Sequence, residues 1–315
     1  MKKLNIILMF LCCAIFIFSC SKSNGDNRES DVKKESVNDS TLISVTTSHV
    51  VVNSIVYRAK FNFAVSMFEK GIQLCEDNKF GDNKKIYYHV GNECTPFMGV
   101  LIHLKANTDY YIRPFFKQIE GTTFGKVKHV KTLANKSQIT YLGNVTWKFG
   151  KELSNDATEE EKTAYKMIKS AMDSAAYYYN VYSTFNKSLT ANYVPSVPTA
   201  DANFSGNIRF GKNTWYMWVG TVMHEIAHTT GAGTHSSWLK LTDQDKGIYI
   251  GENGAEIYKE LMDSDDSRFP SLCVDKMHSW PYGINQRNEV KDERDLIIHT
   301  LINNAMIKDG LGSNL

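Results

Sequence analysis

The stretch "VMHEIAHTTGAGTH" places His224, Glu225, His228 and His235 within a dozen positions. On a helix, residues four apart lie on one face, one turn from each other, so His224 and His228 can offer two imidazoles to a single ion. Zinc suits such donors, needing a third ligand and a position left open for water. Glu225 stands beside that face and need not bind the metal. Its chemistry is that of a general base, taking the proton of a water that the metal activates. The neighbours Trp215, Val219, Val222 and Ile226 fall near the other side, where they can seat the helix on a core.

The third ligand is open between two histidines. His235 is near in sequence, and a glycine-containing loop could absorb one extra residue. His278 opens "HSWPYGIN", where Pro281 fixes a backbone angle and Gly283 permits a turn. A carboxylate, Glu252 or Glu256, is a more distant choice. His299 is expected either to orient a ligand from behind or to pack in its helix. Tyr282 is a possible hydroxyl donor to a developing oxyanion, although packing beside Trp280 explains it too. Met277 is expected to fill the core.

The elements that would position these groups follow from periodicity. "TEEEKTAYKMIKSAMDSAAYYYN" opens with the capping-box pair Thr158 and Glu161, and Tyr165, Ile168, Met172, Ala175 and Tyr179 repeat at threes and fours. A short strand, "NIRF", precedes a helix expected over about 214–230 and ended by Gly231. Further helices are expected across "GENGAEIYKELM" and "DERDLIIHTLINNAMIKD". Residues 138–315 therefore read as an α+β domain. Upstream, residues 41–134 carry short β-type runs such as "SIVYRAKFNF", "FMGVLIHL" and "DYYIRPFFKQ", parted by turn stretches such as "EDNKFGDNK" and "EGTTFG". That pattern predicts an all-β sandwich. His89, His103 and His129 within it are expected to be structural or exposed, and the domain is expected to serve as a spacer or weak binder.

Resemblances extend both readings. "HEIAH" with Gly231 resembles the zincin metallopeptidases, which implies a zinc-dependent peptidase acting on protein or peptide substrates. In that likeness "NIRF" corresponds to the edge strand above the cleft. Thr234 departs from the metzincin pattern, which has its third histidine there. "VPTADANFSGNIRFG", "HEIAHTTGAGT", "HSWPYGIN" and His299 together resemble a secreted group that shares these motifs, and the likeness implies His278 as the third ligand rather than His235. "LKANTDYYIRPFFKQIEGTTFGKVKHVKTL" resembles the last strands of a fibronectin type III-like domain. "IFSC" resembles a lipobox: residues 1–19 read as a lipoprotein signal peptide, Cys20 as the lipidated residue and 20–40 as a polar tether. A lipid anchor implies membrane attachment at the cell envelope, at the outer membrane or cell surface.

Composition limits the partners. The chain has 36 Lys and Arg against 34 Asp and Glu, and loss of Lys2 and Lys3 with the signal brings the two into balance. No basic tract stands out, so nucleic acid is not an expected partner. Beyond Cys20 stand Cys75, Cys94 and Cys273; export would allow a Cys75–Cys94 disulfide, and no CxxC pair supports a cysteine zinc site. The alternative function is that of a surface lipoprotein binding glycans or host proteins without catalysis.

Overall fold

The structure, a computed structural model, describes residues 41–89, 91–262 and 269–313. The stretches read as signal peptide and tether, with Cys20, lie outside the described residues, among which no helix is long and apolar enough to cross a membrane.

In the first half, short strands, some alternating between buried and exposed side chains and others buried along most of their length, build two antiparallel sheets. Strands β1 (Ile43–Ser48), β2 (Ile55–Phe61), β3 (Glu69–Cys75), β4 (Lys85–His89), β5 (Phe97–Leu101), β6 (Asp109–Gln118), β7 (Gly121–Phe124) and β8 (Lys128–Lys131) follow in order. One sheet runs β1-β2-β5, the other β4-β3-β6-β7 with β8 also paired to β6. Ile43, Ile55, Ile72, Leu101, Ile112 and Phe116 close the core between them. Two pieces differ from expectation. "EKGIQLC" is a full strand despite its charged start, because Lys70 is buried with its ammonium on the carbonyls of Glu93 and Thr95. "GTTF", expected as a turn, pairs with the end of β6 as β7. Cys75 and Cys94 are separate thiols: one donates to Asn83 and the other to the Val65 carbonyl.

The second half begins with β9 (Asn144–Phe149), α1 (Glu159–Tyr182), β10 (Asn186–Tyr193), β11 (Ala200–Ala202), β12 (Asn207–Phe210) and α2 (Val219–Thr230). Thr158 and Glu161 form the capping box, and Ile168, Met172, Ala175 and Tyr179 form the buried stripe of α1. The sheet order is β11-β12-β10-β9, with β9, β10 and β12 parallel and β11 antiparallel. "NIRF" is therefore not the edge. Asn203 and Gly206 turn the chain back, so β12 is hydrogen-bonded on both sides and the free edge passes to Ala200–Ala202. The active-helix candidate also starts later than expected, since Thr214–Tyr216 is a separate 3-10 turn capped by Asn213 and leaves Trp215 exposed.

After α2 come α3 (Ser237–Lys240), β13 (Thr242–Asp243), β14 (Ile248–Tyr249), α4 (Glu252–Leu261), β15 (Cys273–Val274), β16 (Ser279–Trp280) and α5 (Glu293–Lys308). The four short strands form one small antiparallel sheet. The sandwich is packed onto this half. Val51, Val56, Met98, Val100 and Ile102 share one hydrophobic cluster with Tyr182, Tyr258, Leu261 and Ile297. Arg58 on β2 clasps the buried Glu260 of α4, and Ser54 meets Tyr182 at 2.8 Å.

Candidate metal centre

Helix α2 lies against β11, β12, α1 and α5, and its apolar side is set by Val222 and Ile226, both fully buried. The opposite side carries His224 and His228, whose rings stand 4.8 Å apart and nearly perpendicular. His278 arrives from the β15–β16 hairpin, its ring 5.4 Å from each of the other two. The ligand atoms of His224, His228 and His278 all lie within 4.8 Å of one another. An ion with bonds of roughly 2.0–2.1 Å to each nitrogen would need only small ring movements to be held there. The three rings line a cavity of ≈ 20 Å³ that they share with Met277, Tyr282 and the α5 residues His299 and Met306.

The hydrogen bonds behind the rings decide which nitrogen faces that space. His224 Nδ1 is 2.7 Å from the Gly283 carbonyl and His228 Nδ1 is 2.8 Å from the Ala232 carbonyl. A carbonyl only accepts, so each Nδ1 carries the proton and each Nε2 keeps its lone pair. Burial, with the neighbouring His228 next in size, pushes His224 down to about 3, and burial lowers His228 as well. Both are neutral at ordinary pH, the form a metal requires. His278 is more exposed. Its Nδ1 faces the Asp275 carboxylate at 3.4 Å, and Asp275 also accepts from the backbone N–H groups of Met277 and His278. Asp275 escaped the sequence reading, though an aspartate three residues before the histidine was a usable turn signal.

Two glycines make the convergence possible. Gly233 (φ +65°) passes so near the hairpin that a Cβ there would fall 2.5 Å from the Met277 Cα and carbonyl oxygen. At Gly283 a Cβ would fall 1.9 Å from the Ser279 carbonyl oxygen, and the Gly283 carbonyl is the one that receives His224. Met277 is not core filling: it is 42 % exposed and lines the small cavity, since its backbone is what packs on Gly233.

His235 goes elsewhere. Gly231 (φ +123°) ends α2, Thr234 donates to the His228 carbonyl, and the His235 ring turns onto Phe204 at 4.5 Å with Nδ1 accepting from the Ser237 N–H. Glu256 faces Arg58 at the junction with the sandwich, and Glu252 starts α4; neither joins the histidine cluster. His299 is buried on α5, with Nδ1 2.7 Å from the Tyr282 carbonyl and Nε2 3.1 Å from the Tyr179 hydroxyl. Burial pushes it down to about 4, so it is neutral and ties the Tyr282–Gly283 loop to α1. Tyr282 packs against the interior cluster and lines both cavities beside the histidines.

Glu225 is 2 % exposed, and its Oε2 has no hydrogen-bond partner among the described residues. Burial, then the charge of Asp201 on the edge strand, pushes its carboxyl up to about 8. A buried carboxylate without a partner is costly. A cation held at the neighbouring histidines would relieve that cost. The donor set and this orphaned oxygen both fit a divalent metal. A second cavity of ≈ 650 Å³ opens beside the triad, walled by His224, His278, Trp280, Tyr282, Asn285 and Glu289.

No family model and no curated relative matches the chain. Similar solved structures include the FN3 domain of human collagen XX, 17% identical, covering 31% of this chain and 96% of that one with a TM-score of 0.25. The FN5 domain of Drosophila Lar is 18% identical, covering 29% and 94% with a TM-score of 0.23. The fibronectin type III domain of the human KIAA0970 protein is 12% identical, covering 35% and 88% with a TM-score of 0.23. These neighbours are fibronectin type III-like β-sandwich domains and match only part of the chain. The sandwich of the first half stands on its own strand order and register.

Proposed function

We propose that the chain is a zinc-dependent peptidase of the zincin kind, held at the cell surface by a lipid on Cys20. The observation that carries this reading is the convergence of His224, His228 and His278 beside the buried carboxylate of Glu225, whose Oε2 has no hydrogen-bond partner among the described residues. His224, His228 and His278 would hold the ion. When bound, zinc supplies Lewis acidity, lowering the pKa of water and polarising a carbonyl. Gly283 and Ala232 keep the two helix imidazoles in the ligating tautomer, and Asp275 steadies the third. Glu225 takes the proton of the attacking water and returns it to the leaving amine, and its burial keeps competing solvent from the carboxylate. The edge strand Ala200–Ala202 offers backbone groups to an extended peptide. Asp201 and Arg209 pair on that strand's ladder, fixing its edge.

The test uses the chain from Ser36 onward. Zinc per chain is measured by elemental analysis, and turnover is followed on mixed peptide libraries. Glu225→Gln is expected to lower turnover by roughly 10²–10⁴-fold while zinc is retained. Undiminished turnover in that variant would end the mechanism. Stoichiometric zinc with no hydrolysis of any library by the native chain would replace it with the non-catalytic binding protein.

A further inference from the structure

The three most exposed large apolar side chains of the described residues are Ile119 (88 %), Phe68 (62 %) and Phe63 (60 %). Scattered single exposures are ordinary, but these three are not scattered. Phe63 and Phe68 lie in the loop from β2 to β3, and Ile119 lies in the turn from β6 to β7. The loop and the turn are tied together: Gln118 donates to the Ser66 carbonyl at 2.9 Å, and the Phe68 N–H donates to the Lys117 carbonyl at 3.1 Å. All three therefore sit at one end of the sandwich.

That end is also where the preceding segment joins the fold. Ile43 pairs with Phe61, the Asn62 N–H donates to the Leu42 carbonyl, and the Asn62 side chain donates to Thr41. The other half of the molecule packs along the face of β2 and β5, where Arg58 pairs with Glu260, and at the opposite end of β1, about 20 Å away along a strand of this length. There His49 stacks on Tyr182 at 5.5 Å and Asn53 donates to Glu293 at 3.1 Å.

We infer that the Phe63–Phe68–Ile119 tip seats in the surface of a lipid bilayer and orients the molecule, with the histidine-bearing half held away from the membrane. The inference rests on the reading of Cys20 as the lipidated residue, because the segment leading back to Cys20 enters at this end. Lipid is favoured over a protein partner by that entry point. It is also favoured by the balanced charge of the rim, where Lys117 pairs with Glu69 at 2.5 Å and exposed Lys60 and Glu120 offset each other. Contact is therefore apolar rather than electrostatic, and a neutral lipid serves as well as an anionic one.

Ser36–Leu315 is one compact unit, so a chain beginning at Ser36 carries the tip without the anchor. It is expected to co-float with phosphatidylcholine vesicles, with less than about twofold change as salt is raised well above the physiological range. Phe63→Ser, Phe68→Ser and Ile119→Ser together are expected to reduce that partition about tenfold or more, with the unfolding midpoint unchanged. In the full chain on vesicles, Phe68→Trp is expected to add fluorescence that brominated phosphatidylcholine quenches. Flotation unchanged in the triple variant would overturn the inference. So would failure of brominated lipid to quench the fluorescence that Phe68→Trp adds. Self-association of the native chain that the triple variant abolishes would overturn it too, giving the tip to a second copy. Lipidation of Cys20, read by mass, reports on the anchor separately, so its absence is distinguishable from failure of the tip.

Discussion

The histidines on the helices of the second half are held differently from those on the strands and outer loops of the sandwich. In the sandwich, His129 lies in the open against Asp109 at 2.8 Å and stacks on Tyr111, and His103 is exposed. His89 lies edge-on to Tyr57 and against Phe97. In the second half, His224, His228 and His299 each give Nδ1 to a backbone carbonyl, and burial lowers all three. The difference teaches what makes an imidazole a ligand. A ring whose far nitrogen is spent on a fixed carbonyl must present its other lone pair in one direction. His278 and His129 are each paired with an exposed aspartate, and what separates them is company: the hairpin brings His278 to two other imidazoles, whereas His129 is in no such cluster among the described residues.

The sharpest break of that contrast is at the third ligand. His278→Ala removes a donor, whereas His235→Ala removes only a ring packed on Phe204. The first is expected to lower zinc affinity by more than the roughly 10–100-fold typical of losing a supporting partner. The second is expected to leave affinity unchanged, as competition titration with a chelating dye would show. Equal losses in the two variants would mean that the hairpin does not carry the ligand.

How much of this could be read from the chain beforehand differs between the same regions. His224 and His228 were legible because a helix converts a spacing of four into a shared face. His278 was not fixed by spacing, since its approach depends on Gly233 packing on the Met277 backbone, a contact between segments more than forty positions apart. Strand alternation announced most of the sandwich. It missed β3, where Lys70 is buried because backbone carbonyls receive its ammonium. It gave "NIRF" the edge because nothing in three alanine-and-aspartate residues signals a strand, and their pairing comes from the turn at Asn203–Gly206. The docking of the two halves was invisible for a similar reason: Val56 and Met98 read as ordinary core, and only the fold says whose core they share.

A smaller effect sharpens the comparison through pH. His299 is held at about 4 in the folded chain, below the 6.5 of an unhindered imidazole. The unfolded chain therefore binds the extra proton first. The stability His299 contributes is present above pH 6.5 and is lost as pH falls toward 4. Between pH 7 and about 4.5 the loss amounts to about 2–3 kcal/mol for this group. His224 and His228, lowered by burial, act with the same sign when no ion is bound. Denaturant unfolding with chelator present is expected to show a steep acid loss in the native chain. His299→Gln should be less stable at pH 7 and show a shallower acid slope. An unchanged slope would mean that the ring is not held neutral.

The smallest expected effect tests the other side of the contrast. His129 resembles a metal-site imidazole on paper, since a carboxylate, Asp109, holds one nitrogen at 2.8 Å. Both partners are about half exposed, however, and Lys131 lies 3.8 Å from the same carboxylate, so solvent and a second cation share the interaction. Exposed pairs of this kind contribute from nothing to about 1 kcal/mol. His129→Ala should accordingly shift stability by no more than about 0.5 kcal/mol and leave zinc content untouched. A fall in zinc per chain on that substitution would place a second ion in the sandwich.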